Sequence, residues 1–255
     1  MVADSPDMVR QRVREQLMLG ASQIKLTAGG GVSSPHSPLD VSTFTLEELK
    51  AAVDAAGNWG TYVAVHAYTP VAVRRSIDAG VKVIEHAHLI DDDTAKYMAE
   101  KQVWLSTQPF LAEEGSTFQP GSLNYIKQRS VMNGTEVLMN LVRKYNIKTA
   151  WGTDILFSAE KARRQNAMLA AMTRWFTPAE TLRMATSTNG ELLALSGLRS
   201  PYDGRLGVIE AGALADMLLV EGDPLSDISV IEDPDKNFRV IIKDGKIFKN
   251  DLAAQ

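Results

Sequence analysis

At 255 residues with an apolar fraction of 45%, the chain is long enough for one large core, or one core with a small appendage. The absence of cysteine excludes disulfides, thiolate zinc sites and cysteine nucleophiles, so any metal must be held by nitrogen and oxygen donors. A formal net charge of -4 with scattered basic residues leaves no nucleic-acid footprint, and no apolar run is long enough to span a bilayer. The first residues, Met1 to Pro6, lack a signal peptide's apolar region. The expectation is a cytoplasmic, enzyme-like domain whose partner is a small molecule rather than a nucleic acid or a membrane.

In chain order, Asp7 to Leu19 is amphipathic and charged and stops at Gly20, a helix. Ile24 to Thr27 is a strand, followed by Ala-Gly-Gly-Gly and the turn-rich Ser33 to Asp40. Thr45 with Glu48 three residues on forms a capping box, opening a helix that runs to about Gly57. Thr61 to His66 reads as a strand, Thr69-Pro70 as the start of the next helix, and Val81 to His86 as another strand. Asp91 to Lys101 is a helix that begins with three carboxylates, which suits its positive N-terminal dipole. Val103 to Thr107 is a strand, Ser122 to Tyr145 one long helix, and Ile147 to Gly152 a last strand before helical stretches from about Glu160 to Leu195. The alternation predicts successive β/α units over residues 1–200.

The character changes after Leu195. Ser200-Pro-Tyr-Asp-Gly reads as a linker, and residues 201–255 hold short strands at Gly207-Val-Ile, Ala215 to Val220 and Val240 to Phe248. Lys243-Asp-Gly-Lys between apolar runs is a hairpin signal.

Four metal-ligand-type side chains sit at or just past strand ends: Lys25, His66, His86 and Asp154. In β/α folds the chemistry collects at the carboxyl ends of parallel strands, so their convergence on one rim is the expectation. Each has a plainer reading when taken alone. Lys25 could be an ion-pair partner, a strand-end histidine a hydrogen-bonded structural residue, and Asp154 a helix cap. Ala28-Gly-Gly-Gly lacks the Lys-Ser/Thr of a phosphate-binding loop and reads as a close-packed loop. Tyr68 and His88 follow two of the candidate ligands, and His36 lies in the loop after the first of these strands. All three are candidates for contact with substrate.

The order Lys, His, His, Asp resembles strands four, five, six and eight of the amidohydrolase superfamily. Gln-Ile-Lys-Leu-Thr-Ala-Gly-Gly-Gly-Val-Ser-Ser-Pro, Val-His-Ala-Tyr-Thr-Pro, Ile-Glu-His-Ala-His-Leu-Ile-Asp and Trp-Gly-Thr-Asp resemble its imidazolonepropionase-related, prolidase-like branch. The tail from Gly204 to Val220 resembles that branch's C-terminal β-sandwich segment. The resemblance implies strands four to eight of a (β/α)8 barrel over 1–200 and part of a small β-sandwich over 201–255. It further implies a pair of divalent metals, most simply zinc, bridged by a carbon dioxide-derived carbamate on Lys25. His66 and His86 would be further ligands, with Asp154 as ligand and general base. A metal-bound hydroxide would attack an amide carbonyl, of a dipeptide or an N-acyl amino acid.

The family carries a His-x-His pair on its first strand. The one such pair here, His86-Ala-His88, has no histidine after it and does not fit that place. The expectation is therefore that the natural domain begins before Met1, with a complementary N-terminal chain to supply the pair or a homo-oligomer as the expected assembly. A cyclic-amide hydrolase or an esterase/lactonase remains open within the enzyme class. Outside it, so does an inactive fragment or subunit that requires a partner.

Overall fold

The computed structural model describes residues 2–155 and 158–252. The chain falls into two compact units, Met1–Thr149 with Leu195–Ser200, and Ala150–Ala194 with Pro201–Gln255.

The first unit opens with α1, Pro6–Met18, whose N-cap Ser5 accepts from the Met8 amide at 3.2 Å. Val9, Val13 and Leu17 recur every fourth residue and are buried, so one stripe of α1 packs on α2, Leu46–Gly57. Burying each such side chain stabilises the fold by about 1.5–3 kcal/mol. The predicted capping box of α2 is present: the Thr45 hydroxyl accepts from the Glu48 amide at 3.2 Å, and the Glu48 carboxylate accepts from the Thr45 amide at 2.8 Å.

The strands β1 (Ile24–Thr27), β2 (Val63–Ala67), β3 (Val83–His86) and β4 (Trp104–Thr107) pair in parallel in chain order. The helices α3 (Pro70–Asp78), α4 (Asp92–Glu100) and α5 (Leu123–Tyr145) connect β2 to β3, β3 to β4, and β4 to β5. β5, Thr149–Trp151, is the fifth member of the sheet, and the Leu105 amide donates to the Lys148 carbonyl at its start, 2.9 Å. This is the expected β/α sheet of barrel type.

Register decides which residues share a face. Ile24 pairs with Val63, Val65 with Ile84, and Ile84 with Leu105, and all of these are buried. Lys25 pairs with Ala64, Thr27 with His66, His66 with Glu85, and Glu85 with Ser106, so the opposite face carries the polar groups. Alternation thus separates an apolar face, against which helices pack, from a chemistry-bearing one.

Helix ends follow local chemistry, with one correction. Asp91 caps α4 through the Thr94 amide at 2.8 Å, and Ser122 caps α5 through the Tyr125 amide at 3.2 Å. Thr69 makes no side-chain cap, and its buried hydroxyl has no hydrogen-bond partner among the described residues. The start of α3 is fixed by Pro70 alone. In α5, Gly134 sits against the His88 carbonyl, where a Cβ would overlap the oxygen.

In the second unit the long helical stretch is broken into α6 (Ala159–Arg163), α7 (Gln165–Ala170), α8 (Pro178–Ala185) and α9 (Ser187–Leu193). Pro178 cannot continue a helix and excludes Thr177 from one, so α8 restarts with its own Thr177–Glu180 capping box. β6 (Met217–Val220), a short helix α10 (Pro234–Asn237), β7 (Phe238–Lys243) and β8 (Lys246–Asn250) follow, and the three strands form an antiparallel sheet. Asp244 and Gly245 have φ of 50° and 71°, the two left-handed residues that a tight hairpin turn requires. The Gly207-Val-Ile segment lies outside the strands. Ala170, Ile231 and Phe238 are buried together, flanked by Leu182, Val220 and Ile241. Leu218, Leu219, Ile247 and Phe248 on β6 and β8 are exposed. Among the described residues, no helix is long and apolar enough to cross a membrane.

Candidate functional site

His66 and His86 come from the carboxyl ends of adjacent strands, and their rings meet edge to face with centroids 4.7 Å apart. Strand parity alone would not bring them together, because Ala67 rather than His66 is the register partner of His86. At His86 the backbone leaves the extended region: φ is 77° there and 57° at Ala87. Two successive left-handed residues end the alternation at the tip of β3, where the imidazole joins its neighbour across the sheet.

Four residues hold this pair. Tyr68, 3% exposed, stacks on His86 at 5.1 Å and 25° and meets His66 edge-on at 4.9 Å. His66 Nε2 donates to the Gly30 carbonyl at 2.8 Å. The Gln108 side-chain amide pairs with His86 Nδ1 at 3.1 Å, and the Thr107 hydroxyl donates to the His86 carbonyl at 3.1 Å. His88, 1% exposed, lies behind: its Nε2 donates to the Gln108 carbonyl at 2.9 Å and its ring packs on Phe110 at 4.8 Å. Its Nδ1 has no hydrogen-bond partner among the described residues.

The electrostatics favour neutral imidazoles. Burial is the first cause that lowers His66, with the Lys25 ammonium adding to it, while the Gly30 carbonyl and Glu85 act the other way. His86 falls well below the ordinary range, through burial first and then the charges of His66, His88 and Lys25, against the Gln108 contact. Burial takes His88 down to about 4, opposed by the hydrogen bond to the Gln108 carbonyl. Lys25 itself is exposed.

This donor set fits a divalent cation. Neutral imidazoles offer lone pairs, the state that ligation requires, and Lys25 bears electrostatically on both. Among the described residues no cluster of three His, Asp or Glu forms, so a third donor on this face would be Lys25, converted from ammonium to an anionic form. Asp154 belongs to the second unit, where it is exposed and has a φ of 49°. His36 is exposed in the loop after β1.

Gln108, Thr107 and Gly30 are supporting residues that motif reading misses. The signal for the first two is a pair of polar residues at the end of β4 and just past it. For Gly30 it is a triple glycine that places backbone against a side chain.

The amidohydrolase family model matches residues 1–248. The chain belongs to the amidohydrolase family. Ochratoxinase from Aspergillus niger is 30% identical over 253 residues, covering 97% of this chain and 50% of that protein. This amidohydrolase chain therefore spans about half the length of the curated relatives it matches. Among solved structures, an amidohydrolase aligns with a TM-score of 0.90 at 35% identity, covering 99% of this chain and 60% of the other. A prolidase complexed with N-methylphosphonate-L-proline aligns with a TM-score of 0.88 at 32% identity, over 98% of this chain and 60% of that one. These relatives agree with the prolidase-like branch and with a barrel-type sheet joined to a small antiparallel sheet.

Proposed function

We infer that this amidohydrolase chain carries metal-binding and catalytic residues for hydrolysis of an amide C–N bond in a dipeptide or an N-acyl amino acid. The observation that carries the reading is the neutral His66–His86 pair, packed at adjacent strand ends with Lys25 bearing on both rings. Similarity to a prolidase complexed with a proline phosphonate supports an amide whose nitrogen belongs to an amino acid. His66 and His86 donate ring lone pairs, and Lys25, once carbamylated, donates carboxylate-like oxygen. A divalent cation held there, zinc being the natural match for imidazole and oxygen donors, supplies Lewis acidity toward the scissile carbonyl and toward water. Asp154, assigned on its Trp-Gly-Thr-Asp motif, takes the proton of the attacking water. Tyr68 holds both imidazole rings and is the nearest candidate to meet a substrate carboxylate. His88 supports His86 from behind, and His36 is free to reach substrate from its loop.

The test has two arms. Zinc binding is measured for the chain and for His66→Ala/His86→Ala, with loss expected in the double variant. Turnover of Xaa-Pro dipeptides and N-acyl amino acids is measured with and without Asp154→Asn, where loss of the base is worth about 10²–10⁴-fold. Unchanged zinc affinity in the double variant, or turnover within a few-fold in Asp154→Asn, would defeat the assignments.

A further inference from the structure

The loop leaving β1 is gripped by α5 through two residues three apart on that helix. Lys127 Nζ donates to the carbonyls of Gly31 at 2.8 Å, Ser37 at 3.1 Å and Ser34. Three ammonium protons meet three acceptors, the full capacity of the group. Asn124 Nδ2 donates to the Val32 carbonyl at 2.7 Å, and the Gly31 amide donates to the Ser37 hydroxyl at 3.2 Å. Fixing a lysine in this way costs side-chain entropy and hydration, so the contact is a built feature rather than the default for a surface lysine.

The loop returns one contact to the candidate site, the Gly30 carbonyl on His66 Nε2 at 2.8 Å. A carbonyl can only accept, so the neutral ring carries its proton on Nε2 and keeps the Nδ1 lone pair. A side chain at Gly30 would overlap the Pro38 carbonyl, so packing sets the place of this residue within the loop.

We propose that Lys127 is a positioning residue: it clamps the loop so that the Gly30 carbonyl stays on His66 Nε2, which fixes the ring's tautomer and reserves Nδ1 for a divalent cation. The last step rests on the metal reading above, whereas the clamp and the tautomer do not. Lys127 and His66 lie on different elements, joined only through loop backbone, so the effect of Lys127 on His66 is indirect.

The experiment uses the 255-residue chain as wild type, Lys127→Met and Lys127→Arg. Long-range ¹⁵N–¹H correlation spectra of the metal-free proteins report the His66 tautomer, and competition with a chromophoric chelator reports zinc affinity. Wild type is expected as the Nε2–H tautomer. Lys127→Met should mix the tautomers and weaken zinc by about 10-fold, the low end for loss of support behind a ligand. Lys127→Arg, which keeps donors to the loop, should preserve the tautomer. Wild-type His66 protonated on Nδ1 overturns the proposal however the variants fold. So does a folded Lys127→Met with tautomer and zinc affinity unchanged. Should that variant not fold, Lys127→Ala, which likewise removes every donor to the loop, takes its place under the same criteria. A wild type that binds no zinc defeats the metal reading and the last step with it, while the spectra still decide the clamp.

Discussion

Tyr62, at the start of the second strand run, is 5% exposed, and its hydroxyl has no hydrogen-bond partner among the described residues. Burial and then the Glu85 carboxylate push its phenol up to about 12. The folded state thus holds this proton to higher pH than the unfolded chain, whose tyrosine ionises near 10. The linked stability is complete below pH 10 and is lost as pH rises toward 12. Denaturant titrations at pH 9 and pH 11.5 should show an alkaline loss of roughly 1–2 kcal/mol in the parent that Tyr62→Phe does not share. At pH 7, Tyr62→Phe should be neutral or stabilising by up to about 1 kcal/mol, because a hydroxyl buried without a partner is removed. A loss of more than that would mean the hydroxyl has a partner. At this scale the sequence exposes the ligand types but not their arrangement. His66 and His86 are legible because each closes an apolar run, and Lys25 because it interrupts one. The meeting of His66 and His86 is not, because it depends on left-handed backbone at His86 and Ala87, which no side-chain pattern announces. Gln108 and Lys127 are equally silent, since each acts on a residue far away in sequence.

Among the elements, α5 has the tightest demand at a single position. Gly134 lies in its interior, where alanine would favour helix by about 1 kcal/mol if the surroundings were open. They are not, since a Cβ there would overlap the His88 carbonyl. Gly134→Ala should therefore destabilise by about 1–3 kcal/mol despite its better propensity, measured as a shift in the urea midpoint. A stabilised variant would show that α5 can move off the turn after β3 without cost. The helices themselves are readable from their caps: Thr45, Asp91 and Ser122 all accept from the first turn. The broken helical stretch after Ser158 is less so, because its apolar periodicity continues past Thr177-Pro178 while the backbone cannot.

For the molecule as a whole, a cation that binds the native state alone raises stability by mass action. Zinc at 100 times its dissociation constant should add about 2.7 kcal/mol, seen as a higher Tm that a chelator reverses. His86→Ala should abolish most of this shift. An equal shift in His86→Ala would place the cation elsewhere on the protein. Fold class is readable at this scale from the alternation of strand and helix. The division within β5 is not, because it depends on which segments pack together and not on any change in composition.

The small antiparallel sheet has a practical consequence for anyone handling the protein. Its edge strands β6 and β8 carry Leu218, Leu219, Ile247 and Phe248 in the open, with Lys246 and Lys249 on β8 as the nearby charges. Exposed strand edges template the addition of further strands, and like charge between molecules is what opposes it. The chain's pI is about 5.6, so that opposition vanishes under mildly acidic conditions. Light scattering at rising concentration should find the solubility minimum there, and Phe248→Lys should lift the minimum and move it to higher pH.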